Sequence, residues 1–117
     1  MIVLAEKKDL APIVQYQETD SFACRILCIA NMYGNYPFAD FWIQKQEETG
    51  YPTAYLSKMD GVITLFAHEN ADFGELYMFI KMIGASCMIC HASCAEQLHI
   101  TAARTGIIMK WNARLVE

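Results

Sequence analysis

Asp60-Gly61 constrains this chain more than any other pair of residues. It stands between two apolar runs, Thr53 to Met59 and Val62 to His68, and Asp-Gly in that setting favours a two-residue hairpin. A type I′ turn needs positive φ at both central positions, which Asp tolerates and Gly adopts freely. A third apolar run, Phe38 to Gln46, precedes them across the polar loop Glu47-Glu48-Thr49-Gly50-Tyr51-Pro52. Gly and Pro there end one strand before the next begins. The stretch from Phe38 to His68 therefore predicts a three-stranded antiparallel meander around which the other elements pack.

Outside the meander, Met1 to Ala5 fits a first strand, and Asp9 is positioned to cap a short helix with Leu10, Ile13 and Val14 inward and Pro12 in its first turn. From Asp20, the apolar residues Phe22, Ile26, Ile29 and Tyr33 recur at helical spacing until Gly34-Asn35 and Pro37. Asp72 and Glu75 form a capping-box pattern for a helix with Phe73, Leu76, Tyr77, Ile80 and Ile83 inward and Gly84 as its stop. Ser86 to His91 reads as a strand. Ser93 and Glu96 repeat the capping pattern for a helix from Cys94 to about Arg104, and Ile107 to Trp111 reads as a last strand. The fold class is α/β of the α+β kind: a mixed, mainly antiparallel twisted sheet of about six strands with helices on both faces. With 117 residues the chain makes a single domain, and its length also fits one part of a longer or tandem arrangement.

Thirteen acids against nine bases give a net charge of −4 with no basic cluster, which argues against nucleic acid or an anionic membrane surface as partner. No apolar stretch approaches the roughly 18 residues of a membrane span, and Glu6 to Asp9 interrupt the N-terminal apolar run. A cytoplasmic protein is expected, with its five cysteines reduced. The apolar fraction of 55% with 19% charged residues leaves little polar cover, so some apolar surface should meet a second copy or an adjacent domain. Ile107, Ile108, Met109 and Trp111 make the last strand the expected place for that contact.

The element order, together with "AEKKDLAPIV" after the first strand, resembles the GNAT superfamily of acyl-CoA-dependent N-acyltransferases over nearly the whole chain. The resemblance implies that the strands on either side of the central helix splay to admit the pantetheine arm of acetyl-CoA. The residues at that cleft would be Phe66, Ala67, His68, Met88 and Cys90. The family's diphosphate loop, Arg/Gln-x-x-Gly-x-Gly/Ala, has no counterpart, because the matching place reads His68-Glu69-Asn70-Ala71-Asp72-Phe73-Gly74-Glu75. It offers one glycine, and Glu69, Asp72 and Glu75 would repel a diphosphate. Two functions follow: a non-catalytic or degenerate GNAT-like domain acting as a binding, dimerisation or regulatory module without cofactor, or a divergent N-acetyltransferase that uses acetyl-CoA.

Cys87-Met88-Ile89-Cys90-His91 spells C-x-x-C-H, with Cys94 beyond it. This is a haem-attachment or zinc pattern in letters, but in a strand Cys87 and Cys90 point to opposite faces and cannot close on one ion. No metal is expected there. Cys94 near a helix start, with His91 close by, is either a packed thiol or a Cys/His nucleophile. Cys24 and Cys28, four residues apart on one helix, would complete a metal site only if that helix faced the strand, and they too read as packing, so no metal is expected in the chain. His68 and His99 stand alone in the sequence, Trp42, Tyr55 and Phe66 read as core or groove aromatics, and Met78, Met82, Met88 and Met109 read as adaptable packing.

Overall fold

The computed structural model describes residues 1–99 and 113–115. Strands β1 (Ile2–Leu4), β2 (Ala39–Lys45), β3 (Pro52–Met59), β4 (Val62–Ala67) and β5 (Cys87–Cys90) lie side by side in that order. The first four are antiparallel, and β5 runs parallel to β4. A short strand β6 (Ala113–Leu115) pairs parallel with β5 at the far edge. The protein is thus mixed α/β with a mainly antiparallel open sheet. The expected strand Ile107 to Trp111, and the expected helix beyond His99, lie outside the described residues.

The hairpin takes the form its residues require. Asp60 and Gly61 have φ of 53° and 76°, and Met59 faces Val62 across the turn. Gly61 is held a second way, since its carbonyl accepts from the Ser86 amide at 2.8 Å and the Ser86 hydroxyl at 3.1 Å.

Period-two alternation divides the sheet between two cores. Phe41, Ile43, Tyr55, Phe66, Cys87 and Ile89 pack on one side against α1 (Ser21–Tyr33), through its buried stripe of Phe22, Ala23, Ile26, Ile29 and Ala30. Ala54, Leu56, Ile63, Leu65, Met88 and Cys90 pack on the other side against Leu76 and Ile80 of α2 (Phe73–Ile83) and Cys94, Ala95 and Leu98 in and after α3 (Ala92–Gln97). Each fully buried large apolar side chain contributes about 1.5–3 kcal/mol, so both faces are firmly covered. Among the described residues, no helix is long and apolar enough to cross a membrane.

Three local expectations are corrected. Lys7–Tyr16 forms a 3₁₀ helix, and Asp9 lies within its first turn, accepting from the Glu6 amide at 2.8 Å. Three residues per turn align Leu10 with Ile13 and leave Val14 exposed rather than inward. In α2, Leu76 and Ile80 are buried, Phe73 and Ile83 are half-buried, and Tyr77, Met78 and Met82 face outward. Finally, α3 begins at Ala92 with His91 as the cap residue, ahead of the Ser93 signal. Burial of Cys94, Ala95 and Leu98 sets its phase, so tertiary packing overrides the local capping pattern.

Candidate functional site

The parallel pair β4/β5 is where the sheet changes its pattern of connection, and its C-terminal end is where open α/β sheets place ligands. The pairs Val62↔Cys87, Ile63↔Met88 and Thr64↔Ile89 end there, although β4 continues to Ala67 and β5 to Cys90. At this mouth Ala67, His68, Glu69 and Phe73 face Ser93, Cys94 and Gln97 across a cavity of about 330 Å³. On the α1 side of the same strand end, Tyr16 meets Phe66 and His68 at ring-centroid distances of 5.2 and 5.7 Å.

The structure therefore brings Phe66, Ala67 and His68 together at one strand end. Met88 and Cys90 are fully buried in the α2-side core, one strand over. Burial pushes the Cys90 thiol up to about 12, with the neighbouring Cys94 and Cys87 adding to the effect. Cys87 belongs to the opposite core, so the C-x-x-C-H run is divided between two faces as strand alternation requires.

At the start of α2 the protein's own side chains form a hydrogen-bonded network beside a cavity of about 390 Å³. Asp72 caps the helix, its Oδ1 accepting from the Glu75 amide at 3.0 Å. The side chain of Gln44, only 1% exposed, reaches across from β2. Its Oε1 accepts from the Asp72 amide at 3.0 Å and from the Thr53 hydroxyl at 2.7 Å. Its Nε2 donates to the Asp72 carbonyl and to Glu75 Oε1, both at 2.9 Å. Thr53 is the extra residue where the β2/β3 register slips between Gln44 and Lys45, a β-bulge that aims its hydroxyl at Gln44. One buried amide thus ties bulge, sheet and helix start together. In the sequence, the signal was a glutamine inside the apolar run Phe41-Trp42-Ile43-Gln44.

A second polar contact joins α1 to the start of α3. Asp20 caps α1 through Oδ1, which accepts from the Phe22 and Ala23 amides at 2.8 and 3.1 Å. Its Oδ2 lies 2.7 Å from His91 Nε2. Since an ionised carboxylate only accepts, Nε2 carries the proton. The Phe22 ring stands edge-on to His91 at 4.3 Å. Burial works against ionisation of Asp20, but the His91 hydrogen bond and the two amides outweigh it, and its carboxyl is held below the ordinary value. The pair borders a cavity of about 520 Å³ also lined by Gln17, Ser21 and Cys24.

This contact redirects the Cys/His reading. His91 turns to Asp20, while Cys94 is buried and its thiol is raised above the ordinary value, chiefly by desolvation. A raised, buried thiol is a poor nucleophile. Trp42 and Tyr55 serve packing, Trp42 edge-on to Phe79 at 5.3 Å and Tyr55 fully buried. Among the described residues, no group of three or more His, Cys, Asp or Glu side chains is placed to hold a metal ion. The chain matches no family model, no curated protein and no solved structure.

Proposed function

We propose that this chain is a GNAT-like domain that works as a binding, dimerisation or regulatory module of the cytoplasm, without acyl-CoA chemistry. The observation that carries this reading is the start of α2. The Asp72 and Glu75 amides are engaged by Gln44 and Asp72, and the Glu75 carboxylate by Gln44, so a diphosphate arriving there meets acidic side chains and a network already formed. The GNAT-like part of the reading is supported by the order of elements and by the parallel β4/β5 pair whose pairing stops short of both strand ends.

Apolar surface supports the binding role. Tyr36 and Phe38, 54% and 50% exposed, stack at 5.3 Å with Tyr33 beside them. Met78 and Met82 face outward from α2. Such surface suits a second copy of the chain or an adjacent domain, not nucleic acid, given the net charge of −4. Light scattering at micromolar concentration tests self-association. The expected result is twice the 13.3 kDa chain mass, and a stable, soluble monomer would remove the dimer from the proposal.

The cavity at the β4/β5 mouth favours a second reading, a divergent N-acetyltransferase that takes acetyl-CoA through strand-end backbone amides alone. The two readings part on whether acetyl-CoA binds.

A further inference from the structure

Cys24 and Cys28 stand one turn apart on α1 with their sulfurs 3.9 Å apart, the length of a thiol–thiol hydrogen bond. Cys28 is exposed and Cys24 half-buried, whereas Cys87, Cys90 and Cys94 are all buried. The pair is held in place from below, because Phe22, Ile26 and Ile29 anchor the helix in the core.

Two kinds of chemistry join neighbouring thiols, and the helix discriminates between them. A disulfide needs Cβ atoms about 3.5–4.5 Å apart, whereas residues four apart on a helix hold theirs at about 5–6 Å. Closing that bond would distort the turn. A shared ion asks for less: two metal–sulfur bonds of about 2.3 Å opened at a tetrahedral angle place the sulfurs about 3.8 Å apart, close to the observed 3.9 Å. The helix as it stands already has the spacing of a chelate.

We propose that Cys24 and Cys28 form a bidentate dithiolate site for a thiophilic metal ion. Thiolate pairs select soft and borderline ions over magnesium or calcium. On binding, each thiol releases its proton to solvent and forms one sulfur–metal bond, with no change of oxidation state. Cys24 also borders the cavity lined by Asp20 and His91. The site is separate from the Cys87-Cys90-His91 run, and it stands or falls independently of acetyl-CoA binding.

Cadmium is a suitable probe, since cadmium–thiolate bonds give a charge-transfer band in the ultraviolet. Titrating Cd²⁺ into the reduced protein should raise that band to saturation at one ion per chain. Cys24→Ser and Cys28→Ser should each weaken binding on the order of 100-fold or more, the advantage of holding two ligands on one rigid element. Cys28→Ala changes only an exposed position, so it keeps the test informative if a change at Cys24 disturbs the helix. Absence of the band, its persistence at full affinity in either serine variant, or saturation at one ion per two chains would overturn the site.

Discussion

At the scale of single residues, Gln44 and Asp20 carry more than their surroundings suggest. Gln44 makes four hydrogen bonds from a buried position. Gln44→Ala removes the acceptor for the Asp72 amide and the nearer acceptor of the Thr53 hydroxyl, which keeps only the Gln44 backbone carbonyl at 3.3 Å, and a buried polar group that loses its partner costs about 1–3 kcal/mol. Denaturant unfolding should show a loss of about 2–4 kcal/mol, larger than for an ordinary strand glutamine; a loss within 0.5 kcal/mol, the usual range of surface changes, would contradict the network. Asp20 differs in being sensitive to pH. Its carboxyl is held below the ordinary 3.8, so its contribution is complete above that value and is lost as pH falls through the folded value. Asp20→Asn keeps an N-cap but removes this titration, and its unfolding free energy should fall less steeply below pH 4 than that of the parent. Equal acid limbs would show that Asp20 is not the group concerned. Asp20 was legible in the sequence as a helix cap, but its partner was not, because His91 lies 71 residues away. Gln44 was hidden differently, as one polar letter in a strand whose partners are fixed by a register slip.

At the scale of elements, the hairpin was the most legible part of the chain because its turn chemistry is local. Asp60 and Gly61 adopt the positive φ angles that the turn demands. Gly61→Val should cost about 1 kcal/mol or more on conformation alone. Contact adds to this, since a Cβ at Gly61 would stand 2.6 Å from the Ser86 hydroxyl oxygen. A thermal or denaturant midpoint unchanged by this substitution would contradict the turn. Helices α1 and α2 were legible through Asp20, Asp72 and their apolar spacing. The N-terminal helix was less so, because a period of three rather than 3.6 decides which of Ile13 and Val14 faces the core. The start of α3 was hidden for another reason: the burial of Cys94 and Ala95 outweighs the Ser93 capping signal. In the candidate site, strand alternation correctly separated Cys87 from Cys90. It could not tell that Ala67 and His68 line the cavity at the strand end while Phe66, Met88 and Cys90 are buried in the two cores, since that depends on how the helices cover each face.

At the scale of the whole molecule, the sequence leads to a mixed, mainly antiparallel sheet covered on both faces, and the structure adds that β4 and β5 are a parallel pair beside the meander. What it does not contain is a local signature of chemistry. The polar residues at the candidate sites come from separate segments: Gln44 with Asp72 and Glu75, and Asp20 with His91. Their meaning depends on the fold. The central claim is that the start of α2, with Asp72 and Glu75 beside it and Gln44 tied to both, does not take the diphosphate of a CoA ester. Thermal unfolding with and without about 1 mM acetyl-CoA tests it most directly. A ligand of Kd near 10 μM would stand at about hundredfold excess and add about 2.7 kcal/mol, raising the midpoint of a domain this size by about 10 °C. The account predicts a midpoint that does not move; a rise of that size, saturating with acetyl-CoA, would contradict it and favour the divergent acetyltransferase.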